Sequence, residues 1–126
     1  MMDISVILPV LNERENIIAL IPRLRSALER ERLTYEILII DGKSDDGTPE
    51  AATALGARVM LERRAGYAGA LLTAFEEASG DYLLTLDADM SHEPDFISKM
   101  WKARTQGDIV VASRYTRGGV SYGSWV

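Results

Sequence analysis

Cysteine is absent from the 126 residues, and histidine occurs once, at His92. No disulfide can form and no thiolate can hold a metal, so any cation must be bound by oxygen ligands or by His92. Magnesium or manganese, both hard cations, suits such donors. A run of lysine or arginine is also missing: Arg23, Arg25, Arg30 and Arg32 are interleaved with glutamates, and the net charge is −5. That balance argues against a nucleic-acid partner, whose phosphates demand a basic face. Long hydrophobic runs are lacking too. The first apolar stretch, Ile4 to Leu11, has no basic leader and is too short for a signal segment or a membrane span, so a cytoplasmic start is expected. There is no internal repeat, no low-complexity tract and no Gly/Ser linker. What remains, 47% hydrophobic and 26% charged residues, is the composition of one compact domain over residues 1–126.

Five short apolar or alternating runs, each bounded by Gly, Pro, Asn or Asp, read as strands: Ile4–Pro9, Glu36–Asp41, Arg58–Glu62, Tyr82–Asp87 and Asp108–Ser113. Helical spacing lies between them. Ile17, Leu20, Ile21, Leu24 and Leu28 fall on one face, as do Leu71, Phe75 and Ala78, and then Phe96, Ile97, Met100 and Trp101. Strict strand–helix–strand alternation predicts an α/β fold with a mostly parallel sheet and helices on both faces. Pro22 should either kink the first helix or mark a frayed first turn. Residues 117–126 carry Gly and Ser without periodicity, so the chain is expected to stop inside a loop, as part of a longer protein.

Ligands of open parallel sheets bind at the carboxyl ends of the strands. Each end here is polar: Asn12 and Glu13 after the first strand, Asp41 with Ser44, Asp45 and Asp46 after the second, Asp87, Asp89, Ser91 and His92 after the fourth, Arg114 after the fifth. Asp87-Ala88-Asp89 is the densest signal. Two carboxylates one residue apart can turn toward one cation, or one can bind it while the other takes a ribose hydroxyl. Taken alone, such a pair is more often a turn or a cap; its place behind a buried-type strand, on an edge shared with a second acidic cluster, is what favours a ligand site.

The segment from Asp41 to Gly47 also carries ordinary turn chemistry, with Ser44 or Asp46 capping a helix started by Gly47 and Pro49. Asp41, at the strand end itself, is the better ligand candidate. Gly42-Lys43-Ser44 lacks the upstream glycine of a phosphate loop. Arg63 and Arg64 before Gly66 and Gly69 suit either a phosphate at a helix amino terminus or a loop with close helix packing. His92 is read as a group holding its loop or as a metal ligand.

As an ordered set, these residues resemble GT-A-fold nucleotide-sugar transferases, in particular dolichyl-phosphate mannose synthases and their polyprenyl-phosphate relatives. The resemblance runs from Ile4 to Trp125. It rests on Ile7-Leu8-Pro9-Val10-Leu11-Asn12-Glu13, Tyr35-Glu36-Ile37 leading to Asp41, Ala78-Ser79-Gly80-Asp81, Asp87-Ala88-Asp89-Met90-Ser91-His92, and Ala112-Ser113-Arg114-Tyr115 with Gly118-Gly119. It implies a nucleotide contacted by Pro9, Leu11 and Glu13, with Asp87 and Ala88 at the ribose and phosphates. Asp89 and Ser91, with Asp87, would hold magnesium or manganese, and Arg114 would face the sugar diphosphate or the acceptor phosphate. The sequence departs from the family where Gly42 follows Asp41 in place of a second aspartate, where Leu11 stands for a common aromatic, where Ala68 replaces glycine, and in its length.

The activity implied is inverting, metal-dependent transfer of mannose from GDP-mannose to a dolichyl-type phosphate, at the cytoplasmic face of a membrane. No general base stands out, which agrees with an acceptor phosphate already ionised at neutral pH. A UDP-sugar transferase acting on a polyprenyl phosphate or a glycan, a phosphoacceptor domain using Asp41 or Asp87, and an inactive nucleotide-binding fragment are the alternatives.

Overall fold

The computed structural model describes residues 1–88 and 96–106, and the backbone of 109–112 and 120–123. The elements run β1 (Met2–Val10), α1 (Arg14–Arg30), β2 (Tyr35–Asp41), α2 (Thr48–Ala54), β3 (Arg58–Leu61), α3 (Gly66–Glu77), β4 (Gly80–Thr85), α4 (Phe96–Ala103), β5 (Ile109–Ala112) and β6 (Val120–Gly123). Two compact units result, residues 1–92 and 93–126.

In the first unit four parallel strands lie in the order β3-β2-β1-β4. The chain steps outward from β1 through β2 to β3, then crosses back to place β4 on the other side of β1. Right-handed crossovers therefore put α1 and α2 on one face and α3 on the other. Burial agrees: Ile7, Leu38 and Ile40 form one cluster with Ala70 and Ala74 of α3. The alternate residues Val6, Leu8, Ile37 and Ile39 face the opposite side and are equally buried, as are Ile17, Leu20, Ile21, Leu24 and Leu28 along α1. Strands covered on both faces need continuous apolar runs rather than alternation, which is why Ile37–Ile40 reads as it does.

Two prolines are accommodated by position. Ile7 O accepts the Leu86 N–H at 2.9 Å, so the Ile7 carbonyl, and two residues on the amide position of Pro9, face the β4 side. The β1–β4 register has ended there, at Ile7 opposite Thr85, and the missing Pro9 N–H costs no ladder bond. Pro22 lies inside α1, which runs unbroken from Arg14 to Arg30, so the frayed-first-turn alternative is wrong. Its ring sits on the exposed face, where the Ile18 carbonyl left without a donor can meet water.

The amino edge of the sheet is closed by a polar knot. The largely buried Glu36 carboxylate accepts the Ser5 hydroxyl at 2.6 Å and the Ser79 N–H at 2.7 Å, while Ser5 Oγ accepts the Gly80 N–H at 2.8 Å. Arg58 bridges from Glu36 to Glu77 at the end of α3. Gly80 is compulsory at this point, because a Cβ there would lie 2.4 Å from the Ser5 nitrogen.

The structure corrects three expectations. The α3 face was expected at Leu71, Phe75 and Ala78; Leu71 and Ala78 do pack partly buried against the core cluster, but the fully buried residues are Gly69, Ala70, Thr73 and Ala74, and Phe75 is half exposed. Small residues win because they let the helix approach the sheet. The fifth strand is not described in the parallel sheet: Ile109–Ala112 pairs antiparallel with Val120–Gly123, and that sixth strand lies where no element was expected. Four residues with a single large aliphatic give no periodicity to detect. The second unit also contains α4, whose Ile97 and Ala103 are buried.

Gly80→Ala is expected to lower stability by about 2 kcal/mol or more, since the clash is with backbone that cannot rotate away. Urea unfolding of the variant against the parent chain measures it.

Candidate functional site

Parallel strands bring their carboxyl ends to one edge, and in the first unit β1, β2 and β4 deliver Leu11–Glu13, Asp41–Thr48 and Leu86–Ala88 there. The ends are tied directly. Gly42 N–H donates to Val10 O at 2.9 Å, and Glu62 N–H to Asp41 O at 3.0 Å.

The loops after β1 and β2 are stitched by exchange of side-chain and backbone groups. Asn12 N–H donates to Ser44 Oγ at 2.8 Å, and Asp45 N–H returns to Asn12 Oδ1 at 2.9 Å. Glu13 N–H donates to Thr48 Oγ1 at 3.0 Å and Arg14 N–H to Asp46 Oδ2 at 3.2 Å. The amides freed at the start of α1 thus find their partners on the other loop. Asn12 (φ 52°), Lys43 (φ 70°) and Gly47 (φ 88°) supply the left-handed turns that let both loops double back. Of the two capping candidates the structure selects Asp46. Ser44 serves Asn12 rather than α2, and it is Asp46 whose Oδ1 accepts the Thr48 N–H at 3.0 Å and the Thr48 hydroxyl.

Asp41 is 2% exposed. Its Oδ2 accepts the N–H groups of Lys43 (3.1 Å) and Ser44 (3.0 Å), while Oδ1 is buried with no hydrogen-bond partner among the described residues. An orphaned carboxylate oxygen costs about 1–3 kcal/mol or more. A ligand hydroxyl or N–H is the group that would satisfy it. Glu13 is half buried and accepts Asn16 Nδ2 at 2.7 Å. Leu11 is 58% exposed beyond the half-buried Pro9. An open depression of about 400 Å³ lies beside Glu13, lined by Asn12, Arg14, Glu15, Asn16 and Asp46.

Past β4, Leu86 and Ala88 are buried and Asp87 between them is exposed. Alternation along the strand end presents this carboxylate to solvent at the ligand edge. Its oxygen donors fit a hard divalent cation. Asp89, Ser91, His92 and Arg114 lie outside the described residues. Among those described, no three acidic or histidine side chains group to hold a metal.

Arg63 pairs with Glu76 and Glu77, contacts that raise its pKa, Glu77 foremost, and its N–H donates to Thr73 Oγ1 at 3.0 Å. A Cβ on Gly69 would lie 2.1 Å from the Arg64 carbonyl oxygen, so close packing explains that glycine. Tyr67, which no sequence signal marked, is 55% exposed, and its phenol is pushed above the usual value by burial and then by the negative charge of Asp87.

Similarity to known proteins agrees with this geometry. The Glycosyl transferase family 2 profile matches residues 5–126. The chain is 42% identical to the dolichol-phosphate mannosyltransferase of Pyrococcus furiosus over 94% of its own length and 35% of that protein. It is 37% identical to an undecaprenyl-phosphate 4-deoxy-4-formamido-L-arabinose transferase of Aeromonas hydrophila, covering 90% of the chain and 37% of the relative. Among solved structures, glucosyl-3-phosphoglycerate synthase from Mycobacterium tuberculosis, in complex with Mn2+, UDP and glucosyl-3-phosphoglycerate, superposes with a TM-score of 0.75 at 29% identity, over 93% of this chain and 45% of that one. The chain therefore spans about a third to just under half of these relatives.

Asp46 gives a test of the stitching. The Thr48 hydroxyl, with the backbone N–H groups of Arg14 and Thr48, holds its carboxyl below the usual carboxylate value. A depressed pKa contributes stability that is complete above the unfolded value, near 3.8, and is lost as pH falls through the folded one. Asp46→Asn should therefore melt below the parent chain at pH 6, with the gap closing below about pH 4; thermal unfolding at a series of pH values reads it.

Proposed function

The chain belongs to glycosyl transferase family 2, and we propose that it forms the nucleotide-sugar-binding part of a metal-dependent hexosyltransferase. The reading supported best is transfer of mannose from GDP-mannose to a polyprenyl phosphate of the dolichyl type, with inversion. One observation carries it: Asp41, with a buried carboxylate oxygen lacking a partner among the described residues, and Asp87, an exposed carboxylate, stand on one edge at the ends of β2 and β4, the two strands that flank β1, in a chain 42% identical to a dolichol-phosphate mannosyltransferase.

On this reading Pro9, Leu11 and Glu13 line the nucleotide, Asp41 takes a donor group of the nucleoside, and Asp87 and Ala88 meet the ribose and phosphates. Asp89 and Ser91, with Asp87, hold magnesium or manganese, which when bound supplies Lewis-acid charge for the leaving diphosphate. An oxygen of the acceptor phosphate forms the new bond to the anomeric carbon as the bond to the nucleoside diphosphate breaks. That acceptor is already ionised near neutral pH, so no residue need remove a proton from it. Arg114 would balance charge on the diphosphate or the acceptor. A polyprenyl acceptor requires work at a membrane surface, on its cytoplasmic face; no described helix is long and apolar enough to cross one.

A UDP-sugar donor is the second reading, supported by the UDP bound in the solved relative. Calorimetric titration with GDP-mannose and with UDP-glucose, in manganese and again in excess chelator, separates the two. Binding should require the metal, prefer the GDP sugar, and weaken at least about tenfold in Asp89→Ala. A folded chain that binds neither nucleotide would sink the donor-site reading.

A further inference from the structure

The buried stripe of α3 runs along Ala70 and Ala74, which pack on Ile7, Leu38 and Ile40. Tyr67 precedes Ala70 by three residues and so continues that stripe toward the amino terminus of the helix. The helix runs back across the sheet from the carboxyl edge, since only four residues separate Leu61, paired with Asp41, from Gly66. One turn before Ala70 the strands have ended. A tyrosine on this stripe thus stands at the carboxyl edge of the sheet, on the α3 side, and it is 55% exposed.

Its position is held rather than incidental. Gly66 adopts φ +91° to turn the chain into the helix, and Gly69 lets the first turn close on the Arg64 backbone. Thr73 fixes the same turn, accepting the Arg63 N–H at 3.0 Å and donating to Gly69 O at 3.0 Å. A phenol is protonated at neutral pH and able to donate a hydrogen bond. The ring is large, polar at its tip, and rigid at low entropic cost.

We propose that Tyr67 is a donor-contacting residue, closing the nucleotide-sugar site from the α3 side, with its hydroxyl donating to the diphosphate carried beside Asp87. The inference rests on the donor-site reading and adds to it a residue from a fourth loop. It also offers an aromatic surface in a site where position 11 is Leu11.

The test is calorimetry of GDP and UDP in manganese on the full chain, Tyr67→Phe and Tyr67→Ala, with thermal unfolding of each without ligand. Tyr67→Phe should bind the better nucleotide about tenfold more weakly, as expected for a lost hydrogen bond to a charged group, and should melt with the parent chain. Tyr67→Ala should be weaker again. If the parent chain binds and Tyr67→Phe binds within twofold of it, the Tyr67 contact is overturned while the donor site stands. A lowered melting point in Tyr67→Phe would assign the hydroxyl to the fold and overturn the proposal as well. A folded parent chain that binds neither nucleotide overturns both readings together.

Discussion

Parallel strands end on one edge, and where they end their backbone polar groups lose their partners together. This is the constraint on which the rest of the chain depends. A loop that carried those groups into solvent would leave the edge soft, and one that buried them unpaired would cost several kcal/mol. Here the loops after β1 and β2 answer it by pairing with each other: Asn12 with Ser44 and Asp45, Glu13 with Thr48, Arg14 with Asp46. The polar residues that make the edge suitable for a ligand are thus partly consumed in holding the edge together. Asp41 is divided between the roles, one oxygen committed to two backbone amides and the other left over.

The opposite edge solves the same problem with a largely buried carboxylate. Glu36 gathers Ser5, Ser79 and Arg58, so the strand carrying Asp87 is registered against β1 from below, while Leu86 N–H to Ile7 O registers it from above. Precision at Asp87 is therefore inherited from backbone contacts at both ends of β4 rather than from anything Asp87 does itself. Sites built on strand ends gain accuracy in this way, at the expense of tolerance for change in residues far from the ligand.

Much of this was legible in the sequence because it rests on period and punctuation. The two-sided burial of Ile37–Ile40 and the stripe of α1 are patterns any chain must show if it is to form a parallel sheet between helices. The resemblance, carried by Pro9, Leu11, Glu13, Asp41 and Asp87 in order, reached the family. What stayed hidden depends on close approach or on pairing between distant segments. Ala70 and Ala74 look bland beside Leu71 and Phe75, yet small size is what brings α3 against the sheet. The Asn12–Ser44 exchange spans 32 residues and leaves no local signal. The β5–β6 pairing joins two runs too short for periodicity. Tyr67 lies one turn outward on the Ala70–Ala74 stripe, which the larger apolar residues of α3 obscure in the sequence.

Charge gives the edge its remaining logic. Asp41 and Asp87 stand at the strand ends with Asp45 and Asp46 nearby, and Arg63, in the loop before α3, is committed to Glu76 and Glu77. A nucleoside diphosphate approaching such an edge meets carboxylates, and Coulomb repulsion between its phosphates and Asp87 disfavours binding unless positive charge arrives with it. On the proposed reading the metal and the nucleotide must therefore bind as coupled partners, each poorly held alone. Reciprocity follows from linkage: whatever factor the cation adds to nucleotide affinity, the nucleotide adds to cation affinity. On the same proposed reading, a neutral donor such as the Tyr67 hydroxyl would suit this position better than a lysine would. A lysine ammonium would pair with Asp87 in the absence of ligand and have to be pulled away when the cation entered, whereas a phenol can contribute a hydrogen bond without competing for the carboxylate's charge.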